Sequence, residues 1–212
     1  MKYAALIAAL CLPFFACEGL SAGEYNEVLS VGDAAPGWEG LPGTDGKSHS
    51  LAELADKSIV VVIFTCRSCP TAADYEARIA DLVRQHADNP DKLAVIPISA
   101  NLVEEDKLPA LIEHVEEADL PFHFLHDESQ QVAKSYGAVF TPQFFVLNSD
   151  RKIVYMGAMD DATNPEEVTR HYVNEAIAAI EAGSTPEVTE TIARGCRIRF
   201  VSERRRRAQQ AK

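Results

Sequence analysis

The chain has 212 residues, 47% of them hydrophobic and 25% charged. That is enough for one well-buried domain with extensions, and the composition excludes a fibrous, repetitive or low-complexity protein. The formal net charge of -12 is uneven: residues 194–212 hold eight Lys/Arg against the single acid Glu203, so this tail carries +7 and the remainder -19. An acidic body excludes nucleic acid as the expected partner.

In chain order, "MKYAALIAALCLPFFACEGLSAG" reads as an export signal over residues 1–22. Lys2 gives a short positive start, and Tyr3 to Phe15 is apolar but too short to span a bilayer. Two processing readings stand: cleavage after Ala22, or lipid attachment at Cys17, since "FFAC" resembles a bacterial lipobox with Phe14 in place of Leu. Residues 23–45, rich in Gly, Pro and acids and holding the lone Trp38, read as an irregular lead-in. A turn at Asp45-Gly46 comes next, then a short strand or helix start.

"SIVVVIF" (58–64) is a continuous β-branched run, which predicts a strand buried on both faces. Helical spacing of Tyr75, Ile79, Leu82 and Val83 predicts a helix over 71–87, broken by "NPD" at 89–91. "KLAVIPIS" (92–99) is a second buried strand. Residues 104–118 read as an amphipathic helix with Pro109 in its first turn. A short strand at 121–125 precedes a helix over 128–137, stopped by Gly137. "QFFVLN" and "KIVYMG" form a hairpin. A last helix spans 164–183, with Asn164 as N-cap and Pro165 at the first helical position. Early strand–helix alternation ending in a hairpin predicts an α/β fold, a central mixed β-sheet flanked by helices. The arginine run 204–207 reads as a solvated tail, with anionic lipid or nucleic acid as the alternative contact.

The chemistry concentrates in "FTCRSCP". Cys66 comes directly after the buried strand and Cys69 sits where a helix begins. Unpaired N–H groups and the partial positive charge of a helix N-terminus favour a thiolate, and Arg67 adds a cation beside it. The two-residue spacing lets one sulfur reach the other across a helical turn. A structural zinc site would need a second ligand pair, and only His123 and His126 lie close together in sequence. Two reduced core cysteines would be out of place in an oxidising compartment. Thr141-Pro142 precedes a strand and is either a cis bond at a functional turn or a trans proline opening that strand. Cys196 in "ARGCRIRF" is either a third redox thiol or a small buried residue of a final strand. Its reach to the main site depends on residues 184–195 folding back across the domain. The sequence has no phosphate loop and no dinucleotide fingerprint, so no cofactor is expected and redox equivalents pass through thiols.

Together these residues resemble the thioredoxin-like superfamily over 31–183, leaving 184–212 as a C-terminal extension with Cys196 and the basic tail. The closer likeness is to its peroxiredoxin-like redoxin branch, carried by "CRSCP", "YGAVFTP" and "GCRIRF" in that order. The resemblance implies a thioredoxin-like fold and a redox site at Cys66, Cys69, Thr141 and Pro142. On the thioredoxin mapping Cys66 attacks and Cys69 resolves, with the Thr141 backbone available to pair with substrate. On the peroxiredoxin mapping Cys69 attacks peroxide and Cys66 takes the place of the usual threonine. Pro142, with Gln143 after it, stands where a peroxiredoxin carries its peroxide-polarising arginine. Val60 stands where a thioredoxin carries a buried acid, which leaves Glu76 as a substitute base by sequence proximity.

Three functions are compatible with these residues. The first is an exported thiol–disulfide oxidoreductase using Cys66 and Cys69 on protein disulfides, fed by a thiol electron donor that can be membrane-bound. The second is an antioxidant thiol peroxidase using Cys69, then Cys66 or Cys196. The third is a Cu(I) chaperone of the same fold with His123 or His126 as third ligand. Oligomeric state is open, dimers being common among relatives.

Overall fold

The computed structural model describes residues 22–89 and 91–202. The leader with Cys11 and Cys17, and the arginines at 204–207, lie outside the described residues. No described helix is long and apolar enough to cross a membrane.

The lead-in closes with a two-stranded hairpin, β1 (Leu41–Pro42) and β2 (Ser48–His49), turned at the predicted Asp45-Gly46. Gly46 has φ +76°, which glycine adopts without steric cost. A 3-10 turn (Leu51–Leu54) leads to β3 (Ile59–Phe64). Then come α1 (Pro70–Gln85), β4 (Leu93–Ser99), α2 (Leu108–Glu117), β5 (Leu125–His126) and α3 (Gln131–Ser135). The chain continues through β6 (Phe140–Thr141), β7 (Gln143–Leu147), β8 (Ile153–Gly157), α4 (Tyr172–Glu181) and β9 (Cys196–Arg197).

Five strands form one mixed sheet in the order β5-β4-β3-β7-β8. β3 pairs in parallel with β4, and β4 with β5. The β3–β7 and β7–β8 pairs are antiparallel. The continuous apolar run of β3 has the physical meaning expected of it. Val60, Val62 and Phe64 face one core with Trp38, Tyr136 and Phe145. Ile59, Val61 and Ile63 face the other with Tyr75, Ile79, Leu82, Leu111 and Ile177. Each such side chain, fully withdrawn from water, contributes about 1.5–3 kcal/mol, so β3 anchors both layers. α1, α2 and α4 cover one face; the lead-in and α3 cover the other.

Three predicted helices are shorter than their patterns. Over 104–118 a 3-10 turn (Glu104–Asp106) comes first, and Lys107 is extended. Pro109 has no N–H to give an earlier turn and fits only at a helix start, so α2 begins at Leu108. Between Pro165 and Glu167 there is again only a 3-10 turn, capped by Asn164 as predicted. The Asp161 carboxylate takes the Thr169 N–H at 2.9 Å and the Thr169 hydroxyl. That holds Val168 to His171 out of helical conformation until α4 begins. The 128–137 helix contracts to α3, and Gly137, φ +61°, ends it as predicted. The predicted strand at 121–125 lies instead at Leu125–His126.

The C-terminal extension folds back across the domain. Its backbone bonds β8 through Met156 N to Thr189 O and Thr191 N to Met156 O, both 3.1 Å. A side chain at Gly157 would meet Thr191 at 2.3–2.9 Å, so glycine permits this approach. β9 then pairs antiparallel with β6, placing Cys196 opposite Thr141. Beyond it Asn101 Oδ1 accepts Arg199 N–H at 2.9 Å, and Gln130 Oε1 accepts Val201 N–H at 2.8 Å.

Candidate active site

Three elements meet at the carboxyl end of β3. The loop 65–69 leaves the sheet after Thr65 N bonds Ile98 O at 3.0 Å. Cys69 is the N-cap of α1, and Pro70 takes the first helical position, where its missing N–H costs nothing. Opposite lies Thr141-Pro142, whose peptide bond is cis, held by Gln143 Oε1 accepting Val139 and Phe140 N–H at 2.8 and 3.1 Å. β9 closes the third side.

The predicted residues Cys66, Cys69, Thr141, Pro142 and Cys196 are thus brought together. Cys66 and Cys69 are 4% and 1% exposed; with Ala72 they form a small cluster onto which the half-buried Cys196 packs. All three cysteines are free thiols. Cys66 Sγ lies 3.5 Å from Thr141 Oγ1 and 3.8 Å from Ser68 Oγ. Cys69 Sγ accepts the Ala72 N–H at 3.3 Å and lies 3.1 Å from Thr141 O. Thr141 Oγ1 donates to Cys196 O at 3.3 Å.

The electrostatics separate the sulfurs. Burial pushes the Cys66 thiol up, and the nearby Asp106 carboxylate adds to this against the thiol's hydrogen bond with Thr141. Burial also acts upward on Cys69. There, interactions with the Cys196 thiol, Thr141, the Ala72 N–H and the Cys196 backbone outweigh it, and the group ends below the ordinary thiol range. Cys196 is pushed up to about 11, first by its hydrogen bond to Cys69. Of the three sulfurs, Cys69 is the one shifted toward the thiolate, and Cys196 is the one shifted toward the thiol. The helix N-terminus reaches the second cysteine of the pair, since the Ala72 N–H points at Cys69 Sγ. Arg67 contributes less than expected because its guanidinium turns to Ala110 O on α2 at 3.3 Å.

Asp106 gave no functional signal in the sequence. It is 0% exposed and accepts Ser68 N at 2.8 Å, Ser68 Oγ at 2.6 Å and Asn101 Nδ2 at 3.0 Å. It fixes the loop between the cysteines, from a 3-10 turn 38 residues further on. Val60 is in the apolar core, so the buried carboxylate of this site comes from another element than in thioredoxins. Glu76 is elsewhere: it pairs with His114 of α2 at 2.6 Å. His126 is 6% exposed, and His123 lines an apolar cavity of about 260 Å³ with His49 and His86 at the far end of α1. No three His, Cys, Asp or Glu side chains converge as a metal site among the described residues, so the copper reading finds no third ligand there.

Residues 30–174 match the family model described as Redoxin. The chain belongs to the redoxin family. It is accordingly a thiol-dependent oxidoreductase of the thioredoxin-like superfamily. This redoxin is 30% identical to a hypothetical protein from Sinorhizobium meliloti 1021, with TM-score 0.76 over 84% of this chain and 98% of that one. It is 26% identical to an uncharacterized conserved protein from Geobacillus kaustophilus, TM-score 0.76, covering 84% and 96% of the two chains. The peroxidoxin BcpB from Mycobacterium tuberculosis shares the fold at 19% identity and TM-score 0.55, over 72% and 96%. No curated protein sequence matches the chain.

Proposed function

We propose that this redoxin exchanges disulfides through the Cys66–Cys69 pair, with Cys69 as the attacking sulfur. The observation that carries the reading is the Cys69 sulfur at the N-cap of α1, accepting the Ala72 N–H, with Cys196 packed against the pair. The Cys69 thiolate attacks a substrate disulfide and forms a mixed disulfide, releasing one substrate thiolate. Cys66 then loses its proton, attacks Cys69 and releases the second substrate thiolate, leaving Cys66–S–S–Cys69. Thr141, beside the cis-proline, keeps both sulfurs in register.

A second reading is favoured by one observation. Cys69 is 1% exposed beneath Cys196, an access that suits a two-oxygen substrate better than a bulky one. Attack on peroxide would give Cys69 sulfenic acid and water or an alcohol, and a neighbouring thiol would condense with it to a disulfide and water. By the peroxiredoxin resemblance, Pro142 stands where an arginine would assist the leaving oxygen.

We place the protein outside the cytoplasm, in the periplasm or tethered by Cys17, on the strength of the leader at residues 1–22. A membrane-bound thiol donor is the matching electron source. The deciding experiment compares single-turnover thiol loss with hydrogen peroxide and with an insulin-type disulfide. In a Cys196→Ser background, Cys69→Ser abolishes both reactions, and Cys66→Ser accumulates a mixed disulfide on Cys69. The opposite pattern would return the attacking role to Cys66.

A further inference from the structure

We infer that Cys196 is the sulfur through which the oxidised site is re-reduced, and that Arg194, Arg197 and Arg199 around it select a thiol reductant carrying negative charge. The inference rests on the Cys66–Cys69 disulfide proposed above.

That disulfide would join two sulfurs belonging to residues 4% and 1% exposed. A reductant has poor access to either. Cys196 packs on the pair and is itself partly open to solvent. Alternation along residues 196–199 explains its setting. Cys196 and Ile198 turn inward, Ile198 to 6% exposure, and Arg197 and Arg199 point to solvent. Arg194, before Gly195, is exposed as well.

Residues 191–200 contain three arginines and no acid, in a chain of net charge -12. The three guanidinium groups form no ion pair with any described residue. Arg197 lies over the Phe140 ring at 5.5 Å, and Lys134 over Phe200 at 5.9 Å, which extends the basic strip. Arg197, Arg199 and Lys134 form a basic strip in an acidic body, and Arg194 lies beyond it in a cavity shared with Asp160, Asp161 and Glu190; such a strip attracts anions and repels cations.

The chemistry comes from the coupling of the sulfurs. In the reduced protein Cys196 packs on the pair, and its contact with Cys69 pushes the Cys196 thiol up. Once Cys69 is bonded to Cys66 its sulfur can carry no charge, and that upward push is lifted. The Cys196 thiolate attacks Cys69 Sγ; the Cys66–Cys69 bond breaks, Cys69–S–S–Cys196 forms, and Cys66 leaves as thiolate and takes up a proton. The reductant thiolate attacks Cys196 Sγ at the surface and frees Cys69 as the stabilised anion. A second equivalent attacks the mixed disulfide, releasing the reductant's disulfide and the Cys196 thiol.

The test uses the oxidised full chain and three small thiols of one scaffold: 2-mercaptoethanesulfonate, 2-mercaptoethanol and cysteamine. Each rate is divided by that thiol's rate with a small neutral disulfide. The expected order is anionic, neutral, cationic, with a spread of about tenfold at low ionic strength. It should collapse at about 1 M salt, where the screening length falls to ~3 Å. The triple variant Arg194→Glu, Arg197→Glu, Arg199→Glu should reverse it, and Cys196→Ser should slow all three thiols at least about tenfold. A flat order, an order unmoved in the triple variant, or Cys196→Ser re-reduced at the parent rate overturns the inference. Mass mapping of the oxidised protein separates the two levels. A Cys66–Cys69 disulfide with a flat order sinks the relay alone, and no such disulfide under excess oxidant sinks the pair and the relay together.

Discussion

Gly195→Ala tests whether the C-terminal strand sets the acidity of Cys69. Gly195 has φ +155°, and a Cβ there would lie 2.0 Å from Thr141 O and 2.8 Å from its carbonyl carbon. Cβ contacts under 3.0 Å are essentially never seen, so the two strands must part by at least 1.0 Å, and the obstacle is backbone rather than a flexible side chain. An N–H···O bond lengthened by that much is broken. β9 therefore slips from β6, and Cys196 withdraws from Cys69. Hydrogen bonds to charged groups are worth about 1.5–3 kcal/mol, which corresponds to about one to two pKa units. Cys69 should thus titrate higher than in the parent. The overpacking itself costs about 1–3 kcal/mol of stability. The assay is pH-dependent iodoacetamide alkylation of Cys69 in a Cys66→Ser background, alongside thermal unfolding. Gly37→Ala is the control, since it has nothing within 4 Å and an ordinary φ. A folded Gly195→Ala protein whose Cys69 titrates as in the parent refutes the reasoning.

Other perturbations separate the remaining contributions. Asp106→Asn removes the negative charge that pushes Cys66 up, so Cys66 alkylation should shift to lower pH; Asp106→Ala leaves Ser68 and Asn101 donors without their acceptor and should cost about 3 kcal/mol in urea unfolding. Arg78→Met leaves the Asp160 carboxylate, 3% exposed and paired to Arg78 at 2.5 Å, with only the Tyr75 hydroxyl at 3.0 Å, so stability should fall by about 3 kcal/mol with Cys69 alkylation unchanged. His126 is held below its ordinary 6.5, first by burial. Between its folded value and 6.5 only the unfolded chain binds the proton. Its contribution is full above about pH 6.5 and is lost as pH falls through the folded value, with a slope of at most about 1.4 kcal/mol per pH unit. His126→Asn should flatten the acid side of the urea-midpoint profile relative to the parent.

The sheet was legible because β3 carries an unbroken apolar, mostly β-branched run that two-faced burial explains, because β4 is a second apolar run, and because the hairpin 143–157 sets two apolar runs around "SDR". The helix starts were less so. Pro109 and Pro165 mark helical positions, but the Asp161–Thr169 contact that delays α4 is a side-chain bond no periodicity contains. Within the site, the cysteines and Thr141-Pro142 were readable because local chemistry marks them. Asp106 was not, since "EED" before a proline reads as a solvated helix start, and only the fold turns its carboxylate under Ser68. The downward shift of Cys69 depends on Cys196, whose position depends on a return path, residues 184–195, that left no pattern of its own.

Access to Cys69 also discriminates between oxidants. Peroxide needs only a gap beside Cys196. A protein disulfide needs the segment after β9 to lift, and that segment is tied by Gln130, which is 0% exposed. Its Nε2 donates to Ala100 O at 2.7 Å and Arg199 O at 3.0 Å, and its Oε1 accepts Val201 N–H at 2.8 Å. Gln130 has φ +58°, a conformation asparagine tolerates well. Gln130→Asn thus preserves the backbone while shortening the reach by one methylene, and the strand end is released. Loss of two such bonds, at about 1 kcal/mol each, raises the lifted population about thirtyfold. Thiol loss with an insulin-type disulfide should accelerate by up to that factor, and thiol loss with hydrogen peroxide should change less than about twofold. Equal acceleration of both would mean that one opening serves every substrate; no acceleration of the disulfide would mean that the extension does not cover the site in solution.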